Sequence, residues 1–463
     1  MPVLVGDLGS LHDPGARVVH IEERVLRLLD ANAWAQYHAL SLSGLASELD
    51  GQGLLVRTHV VDLPEGAGDP WVAALEHEAV PVVSYPFEWT FTMLQDAALL
   101  HLDLVERALD EGLVTKDGTP YNILFVGSRP VFVDLGSLER QEPGEGWYGY
   151  RQFCQLFLNP LLIQAYAGVP FQPWLRGAIR GITPGECAAL LSRRTRMRPS
   201  VFPHVAVQAW ADRRYARSSS RLKAELKAAG LGPAVIRAQI RRLRRLVSRL
   251  GADDAESMWS GYGDRGHYPE ADLLAKEHFV ELAAADRHRN QILDLGANDG
   301  RLTEIALRHA DYAVAVDSDP VVVDRLYRRL RQRGEQRILP LFMDLADPSG
   351  GIGWAARQRS PFDDRVTPGL VLCLALIHHL AITESIPMEA IVAWLASFEA
   401  DVVIEFARES DPMVRTLCAN KQGSRWPYSE PSFLKALATR FEIVRQAELP
   451  MGTRMLYHVR PRH

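Results

Sequence analysis

The sequence is poor in cysteine and carries no excess of positive charge. Its four cysteines, Cys154, Cys187, Cys373 and Cys418, lie far apart among 463 residues and form no C-x-x-C pair. This spacing argues against a disulfide framework or a cysteine zinc site and fits a reducing compartment. The formal net charge of -5 disfavours nucleic acid as a partner, because the chain offers no overall attraction to phosphate.

The sequence also lacks a long apolar segment that is free of proline. The uncharged stretch 152–175 contains Pro160, Pro170 and Pro173. Because proline disrupts helices, we predict a buried helix and a turn here, and no membrane span. The first residues show no basic stretch followed by a long apolar run, so we expect no signal peptide and a cytoplasmic protein. The chain is longer than a single typical core, which predicts two domains.

Residues Gln291 to Gly300, QILDLGANDG, carry the most specific pattern. An apolar run ends in Asp294, a loop with Gly296 and Gly300 follows, and after a helical pattern a second apolar run ends in Asp317. This order predicts a nucleotide-binding βαβ unit. An acid before the loop would repel a pyrophosphate. It suits a cationic amine, such as that of S-adenosylmethionine, and Asp317 can accept hydrogen bonds from both ribose hydroxyls.

The segment resembles the first two motifs of the class I S-adenosylmethionine-dependent methyltransferases (EC 2.1.1.-). ILPLFMDLAD, GLVLCLALIHHL, ADVVIEF and the C-terminal FEIVRQAELPMGTRMLYHVR resemble that family's third to fifth strands and its closing hairpin. The resemblance implies an α/β, Rossmann-like domain over residues 251–463, with a seven-stranded mixed sheet, S-adenosylmethionine as cofactor and no metal. The cofactor-binding residues that it implies are Asp294, Gly296, Asn298, Gly300, Asp317, Asp344, Leu374, Tyr262 and Tyr268.

Three residues after the fourth and fifth strands, His378, His379 and Glu405, are candidate catalytic residues. Methyl transfer is an in-line displacement from a sulfonium, so the protein supplies alignment and, for some acceptors, a base. A histidine that titrates near pH 7 can be that base, and Glu405 could bond the acceptor or the histidines. The alternative is a histidine pair that orients its loop. Tyr262 and Tyr268 either form an aromatic lid near the sulfonium or pack on the sheet.

The N-terminal half carries a separate pattern. Asp117 is followed by Asn122, by two short apolar runs joined by the turn VGSRP, and by Asp134. This order resembles the catalytic and metal loops of the protein-kinase-like fold, and SYPFEW at Ser84–Trp89 resembles its hinge. A glycine-rich phosphate loop and a strand lysine are missing upstream. The resemblance therefore implies an α+β kinase-like domain over residues 1–190 without kinase activity, and an unrelated α+β domain is the alternative.

Residues 191–250 form a basic segment. Ile240, Leu243, Val247 and Leu250 stand at helical spacing with arginines between them, which predicts an amphipathic helix. We predict a helical linker between the two domains. A patch for an anionic substrate or nucleic acid is the alternative.

The two halves together resemble bacterial methyltransferases related to a nodulation protein of rhizobia. The pieces that carry this resemblance are Tyr85–Trp89, Lys116–Asn122, Val131–Asp134 and Trp259–Tyr262. We therefore predict a methyltransferase that acts on a small or medium-sized metabolite, with oxygen, nitrogen and carbon acceptors all open. The alternatives are a nucleotide-binding scaffold or regulatory protein and a bifunctional kinase-like methyltransferase.

Overall fold

The computed structural model describes residues 4–142, 145–215, 232–251, 270–421 and 427–462. The predicted lid residues Tyr262 and Tyr268 lie outside these described residues. The chain divides into two compact units, the N-terminal unit (Met1–Phe125, Pro130–Asp254 and Gly351–Ser360) and the C-terminal unit (Val126–Arg129, Ala255–Gly350 and Pro361–His463). The basic segment is part of the N-terminal unit. Within the described ranges, no helix is long and apolar enough to cross a membrane.

The N-terminal unit begins with an antiparallel sheet in the order β1-β2-β3-β5-β4. Its strands are Val5–Gly6 (β1), Ala16–Ile21 (β2), Arg24–Leu29 (β3), Thr58–Val61 (β4) and Ala73–His77 (β5). Two helices, Ala31–Ser43 and Leu45–Gly51, connect β3 to β4. The first of them begins where the Asp30 side chain accepts a hydrogen bond from the Ala33 amide at 2.7 Å, which satisfies a free helix-end donor.

A long helix and a β-hairpin follow in the chain. The helix spans Phe91–Asp110, and Gly112 follows it with a φ of +69°, a conformation that favours glycine. The hairpin strands are Ile123–Val126 (β7) and Arg129–Phe132 (β8). Two further short strands, Leu113–Thr115 (β6) and Leu138–Arg140 (β9), pair with each other.

The remaining N-terminal elements are helical. The uncharged stretch 152–175 lies in helices whose apolar residues are mostly buried, as the sequence predicts. The helices are Tyr150–Phe153, which continues through a π-helical turn at Cys154–Leu158 into Asn159–Ala167, then Gln172–Gly177, Pro184–Leu190, Arg193–Arg196, Ala206–Tyr215 and Pro233–Val247.

The basic helix Pro233–Val247 is amphipathic, as predicted. Its apolar residues Ile240, Leu243 and Val247 are buried. Its arginines pair with acids of the helix Phe91–Asp110: Arg237 with Asp110 at 2.5 Å, Arg241 with Glu106 at 3.1 Å, and Arg244 with Glu106 at 3.0 Å and Asp103 at 3.3 Å. These ion pairs balance part of the positive charge of the helix inside the unit.

The C-terminal unit contains the predicted seven-stranded mixed sheet, in the order β12-β11-β10-β13-β14-β16-β15. The first five strands in this order are parallel, and β16 pairs antiparallel with both neighbours. The strands are Arg289–Leu295 (β10), Ala310–Asp317 (β11), Ile338–Phe342 (β12), Leu370–Cys373 (β13), Asp401–Ala407 (β14), Phe441–Glu448 (β15) and Arg454–Pro461 (β16).

Helices accompany this sheet: Glu270–Ala284, Arg301–Ala306, Pro320–Arg333, Met388–Ser397, Pro412–Asn420 and Glu430–Ala438. The central strands are almost entirely buried, as expected for a parallel sheet that is covered on both faces. Strand order reverses between β10 and β13. Ligands of open α/β sheets bind beyond the carboxyl ends of the strands at such a point.

Candidate cofactor and acceptor site

The glycine loop after β10 turns over the end of β11. The amides of Gly296 and Ala297 both donate to the Val316 carbonyl, at 2.8 and 3.0 Å. Gly296 has a φ of +82° and Gly300 a φ of +77°, both in the left-handed region. A Cβ on Gly300 would lie 2.9 Å from Cδ1 of Leu326, so glycine is needed there for packing as well.

Asp294, at the end of β10, lies beneath this loop. It is buried and accepts a hydrogen bond from the Thr303 hydroxyl at 2.6 Å. Burial raises the pKa of Asp294 to about 7, against the effect of the Thr303 bond. A buried carboxylate of this kind favours a neighbouring cation, because the cation stabilises its charged form.

Asp317, at the end of β11, organises the loop from the other side. One carboxylate oxygen accepts from the Asn298 amide and the other from the Asp319 amide, both at 2.9 Å. Asn298 itself has a φ of +48°. Burial raises the pKa of Asp317, and its backbone partners oppose this rise. The side chain is only half-buried. The carboxylate therefore remains accessible to a further hydrogen-bond donor.

Asp344 and Leu374 lie just beyond the ends of two further strands, β12 and β13. Asp344 is exposed two residues beyond β12, and its carboxylate accepts from the Ala346 amide at 2.9 Å. Leu374 is buried just after β13, and its carbonyl oxygen lies 3.9 Å from the position of a Cβ on Gly296. The structure thus places seven predicted residues, including Asn298 and Gly300, along the ends of four adjacent strands. Three acids at these ends fit a ligand that offers hydroxyls and an amine, such as S-adenosylmethionine.

Glu405 lies near the end of β14 and is fully buried among cations. Its Oε2 is 2.7 Å from Nζ of Lys276, and its Oε1 is 2.8 Å from Nη1 of Arg454. Burial alone would raise the pKa of Glu405, but Lys276 and Arg454 outweigh it and hold the pKa at about 2. Oε2 also accepts from the Ala375 amide at 3.1 Å. A carboxylate held in this way is a poor proton acceptor.

The two predicted catalytic histidines differ in exposure. His378 is fully buried, whereas His379 is half-buried. Burial lowers the pKa of His379 to about 4, and Arg454 adds to the effect. Burial, together with His379, lowers the pKa of His378 further. Both imidazoles are therefore neutral near pH 7, which weakens the prediction of a histidine base but leaves His379 able to form hydrogen bonds.

Sequence reasoning missed the partners of these acids. Thr303 and Lys276 lie on two helices, and Arg454 lies on the last strand, within the segment that resembles the closing hairpin. Only Thr303 had a signal, because it stands in the first turn of the helix after the glycine loop. Lys276 and Arg454 reach Glu405 through the tertiary fold, which single-sequence patterns do not encode.

The acids of the N-terminal unit are also brought together. Asp134 accepts from Nη1 of Arg27 at 2.6 Å and from the Asn122 side-chain amide at 3.1 Å. Burial raises the pKa of Asp117, and Asp134 contributes to the rise. Arg27 belongs to β3, and its pairing with Asp134 has no local signal in the sequence because the two residues are 107 positions apart.

Asp286, Asp401 and His458 form a group whose ligand atoms lie within 4.8 Å of one another. Arginines already surround the Asp401 carboxylate, with Arg289 at 3.1 Å and Arg460 at 3.3 Å. The arrangement is therefore an ion-pair network at the amino end of β14, the end opposite the cofactor site.

Comparison with known proteins gives one full-length relative. No family model matches the chain. Nodulation protein NoeA of Rhizobium meliloti (strain 1021) is 32% identical over 459 residues, which cover 97% of this chain and 94% of the relative.

Two solved methyltransferase structures match smaller parts of the chain. The N-methyltransferase NodS from Bradyrhizobium japonicum WM9 is 12% identical, with 42% of this chain and 98% of that chain covered and a TM-score of 0.32. The magnesium protoporphyrin IX methyltransferase from Synechocystis PCC 6803 is 15% identical, with 41% and 85% covered and a TM-score of 0.29.

The sheet order, the glycine loop and the strand-end acids make the C-terminal unit a class I S-adenosylmethionine-dependent methyltransferase domain. Because the identity of 32% extends across nearly the full length of both proteins, the two chains are members of one family. The chain belongs to the family of nodulation protein NoeA.

Proposed function

We propose that the chain methylates a small or medium-sized cytoplasmic metabolite and that its cofactor binds at the carboxyl ends of β10 to β13. The observation that carries this proposal is the row of Asp294, Asp317 and Asp344 at the ends of three adjacent strands, around a loop with two left-handed glycines. Nodulation, the process for which the relative is named, is a context in which to look for the acceptor.

Each acid has a proposed role. Asp317 accepts from the ribose hydroxyls with the lone pairs that its backbone partners leave unused. Asp294 balances the cationic amine, and Asp344 accepts from the adenine amino group. Leu374 forms the wall opposite the glycine loop. When bound, S-adenosylmethionine supplies a methyl group on a sulfonium, whose charge already activates the leaving group.

On the acceptor side we propose alignment in place of strong base catalysis. A general base is most effective when its pKa lies near the working pH, and the pKa of His379 is about 4. We assign His379 a hydrogen bond that orients the acceptor. His378 packs beneath it, with ring centroids 4.4 Å apart.

We also propose that the N-terminal unit is a kinase-like lobe without phosphoryl transfer. The five-stranded sheet with a helix after β3, and the grouping of Asp117, Asn122 and Asp134, support this proposal. Against phosphoryl transfer, the Arg27 guanidinium occupies an oxygen of Asp134 that a kinase would use for magnesium.

The decisive experiment uses the full-length chain with S-adenosylmethionine labelled on its methyl group. Small-molecule fractions of a bacterial extract are added, and transfer of label is followed over several turnovers. The proposal expects labelled small molecules to accumulate, and an Asp317→Ala chain to produce none. Calorimetric binding of the cofactor without label transfer to any fraction would favour the scaffold alternative.

A further inference from the structure

The turn after β13 has an unusual backbone. Ala375 has a φ of +52°, in the left-handed region, although it carries a Cβ. The segment around it faces the glycine loop, because the Leu374 carbonyl oxygen and Leu376 Cδ1 lie 3.9 and 4.0 Å from where a Cβ on Gly296 would be. This turn therefore lies against the glycine loop at Gly296.

The Glu405 carboxylate binds the backbone of this turn. Its Oε2 accepts the Ala375 amide at 3.1 Å and also lies 2.7 Å from Nζ of Lys276. A charged acceptor holds an amide more firmly than a neutral one does. The unfavourable φ of Ala375 is therefore balanced by a hydrogen bond to a buried, ionised group.

Glu405 is in turn held by elements on several sides. Arg454 of β16 donates to its Oε1 at 2.8 Å. The same guanidinium is bound by Asp411, through Nε at 2.7 Å and through Nη2 at 3.2 Å. Lys276 adds the helix Glu270–Ala284 to the group. Neither carboxylate oxygen can shift without breaking an ion pair.

We infer that Glu405 is a positioning residue, which holds the Leu374–Leu376 turn against the glycine loop in the conformation that binds cofactor, with Lys276 and Arg454 fixing the carboxylate. This inference rests on the cofactor site of the proposed function. It predicts that loss of the Glu405 charge weakens cofactor binding, although Glu405 does not itself touch the cofactor.

The test compares full-length Glu405→Gln with Asp401→Asn as a matched control. Asp401 is a buried acid at the other end of the same strand, it is also held by arginines, and it is far from the turn along β14. Calorimetry with S-adenosylhomocysteine should show affinity about tenfold weaker for Glu405→Gln and within about twofold of wild type for Asp401→Asn. Thermal unfolding of both variants reports the purely structural effect.

A second change separates positioning from general destabilisation. Glycine adopts a positive φ without strain, so Ala375→Gly added to Glu405→Gln should recover about threefold in affinity. If Glu405→Gln does not fold, Lys276→Gln, which keeps the carboxylate, should still weaken binding about threefold.

Three results would overturn the inference: wild-type affinity in folded Glu405→Gln, equal losses in both strand variants, or wild-type affinity in folded Lys276→Gln. Asp317→Ala identifies the source of a failure. If it also binds normally, the cofactor site itself is misplaced. If it loses binding while Glu405→Gln does not, the positioning role alone is wrong.

Discussion

Asp317→Ala is the most direct test of the cofactor site. In the wild-type chain this carboxylate accepts the amides of Asn298 and Asp319 and is only half-buried. The substitution removes the proposed acceptor for both ribose hydroxyls. It also removes the group that orders the loop at Asn298.

The expected loss of affinity follows from these bonds. Hydrogen bonds to a charged group contribute about 1.5–3 kcal/mol each, so two give about 3–6 kcal/mol, or about 10²- to 10⁴-fold in Kd. Because burial raises the pKa of Asp317, the wild-type carboxylate carries a desolvation cost that alanine lacks. We therefore expect the lower end, about 10²-fold.

The assay is calorimetric titration of the full-length chain with S-adenosylhomocysteine, alongside thermal unfolding. Asp311→Ala is the control, because Asp311 is the second residue of the same strand, near the opposite end, and pairs with His288 on the surface at 2.9 Å. The control should bind normally. A folded Asp317→Ala chain with a Kd within about threefold of wild type would refute the site.

Three further predictions concern other groups. Burial raises the pKa of Asp294 to about 7, so the carboxyl is mostly protonated below that pH. Calorimetric affinity for S-adenosylhomocysteine should therefore fall about tenfold between pH 8 and pH 6. The Asp294→Asn variant should bind weakly at both pH values and lose this pH dependence. His379→Ala should lower turnover of the acceptor and leave cofactor affinity unchanged. His378→Ala should mainly lower the midpoint of thermal unfolding, because it empties a buried site. Wild-type turnover in both variants would exclude an acceptor role for the pair. The full-length chain should not hydrolyse ATP, and hydrolysis that disappears in Asp134→Ala would instead make the chain bifunctional.

Local patterns were sufficient to predict the C-terminal sheet and the position of three acids at the ends of its strands. Buried parallel strands appear as apolar runs, and each of Asp294, Asp317 and Asp344 stands at or just beyond the end of such a run. The left-handed turn at Ala375 had no comparable signal, because it carries a Cβ where glycine would be expected.

The same limit applies to partners that are distant in the sequence. Arg27 pairs with Asp134, which is 107 residues further along the chain, and no local pattern indicates that contact. The arginines of the basic segment are evident in the sequence, but their pairing with acids of the helix Phe91–Asp110 is not. In both cases the charge of one segment was known, but its partner was fixed by tertiary packing.

The electrostatics of the proposed acceptor side favour alignment of the acceptor over base catalysis by the protein. Glu405 is committed to two cations and an amide, and its pKa of about 2 leaves it ionised. His378 and His379 are neutral at physiological pH for the opposite reason, since burial disfavours their charged forms. None of the three groups is suited to take a proton from an acceptor of high pKa. A sulfonium methyl donor does not require one when the acceptor is already nucleophilic, and alignment alone can supply a large part of the rate. In the proposed site, the buried charges hold the turn after β13 in place, and any loss of a proton is left to the acceptor itself.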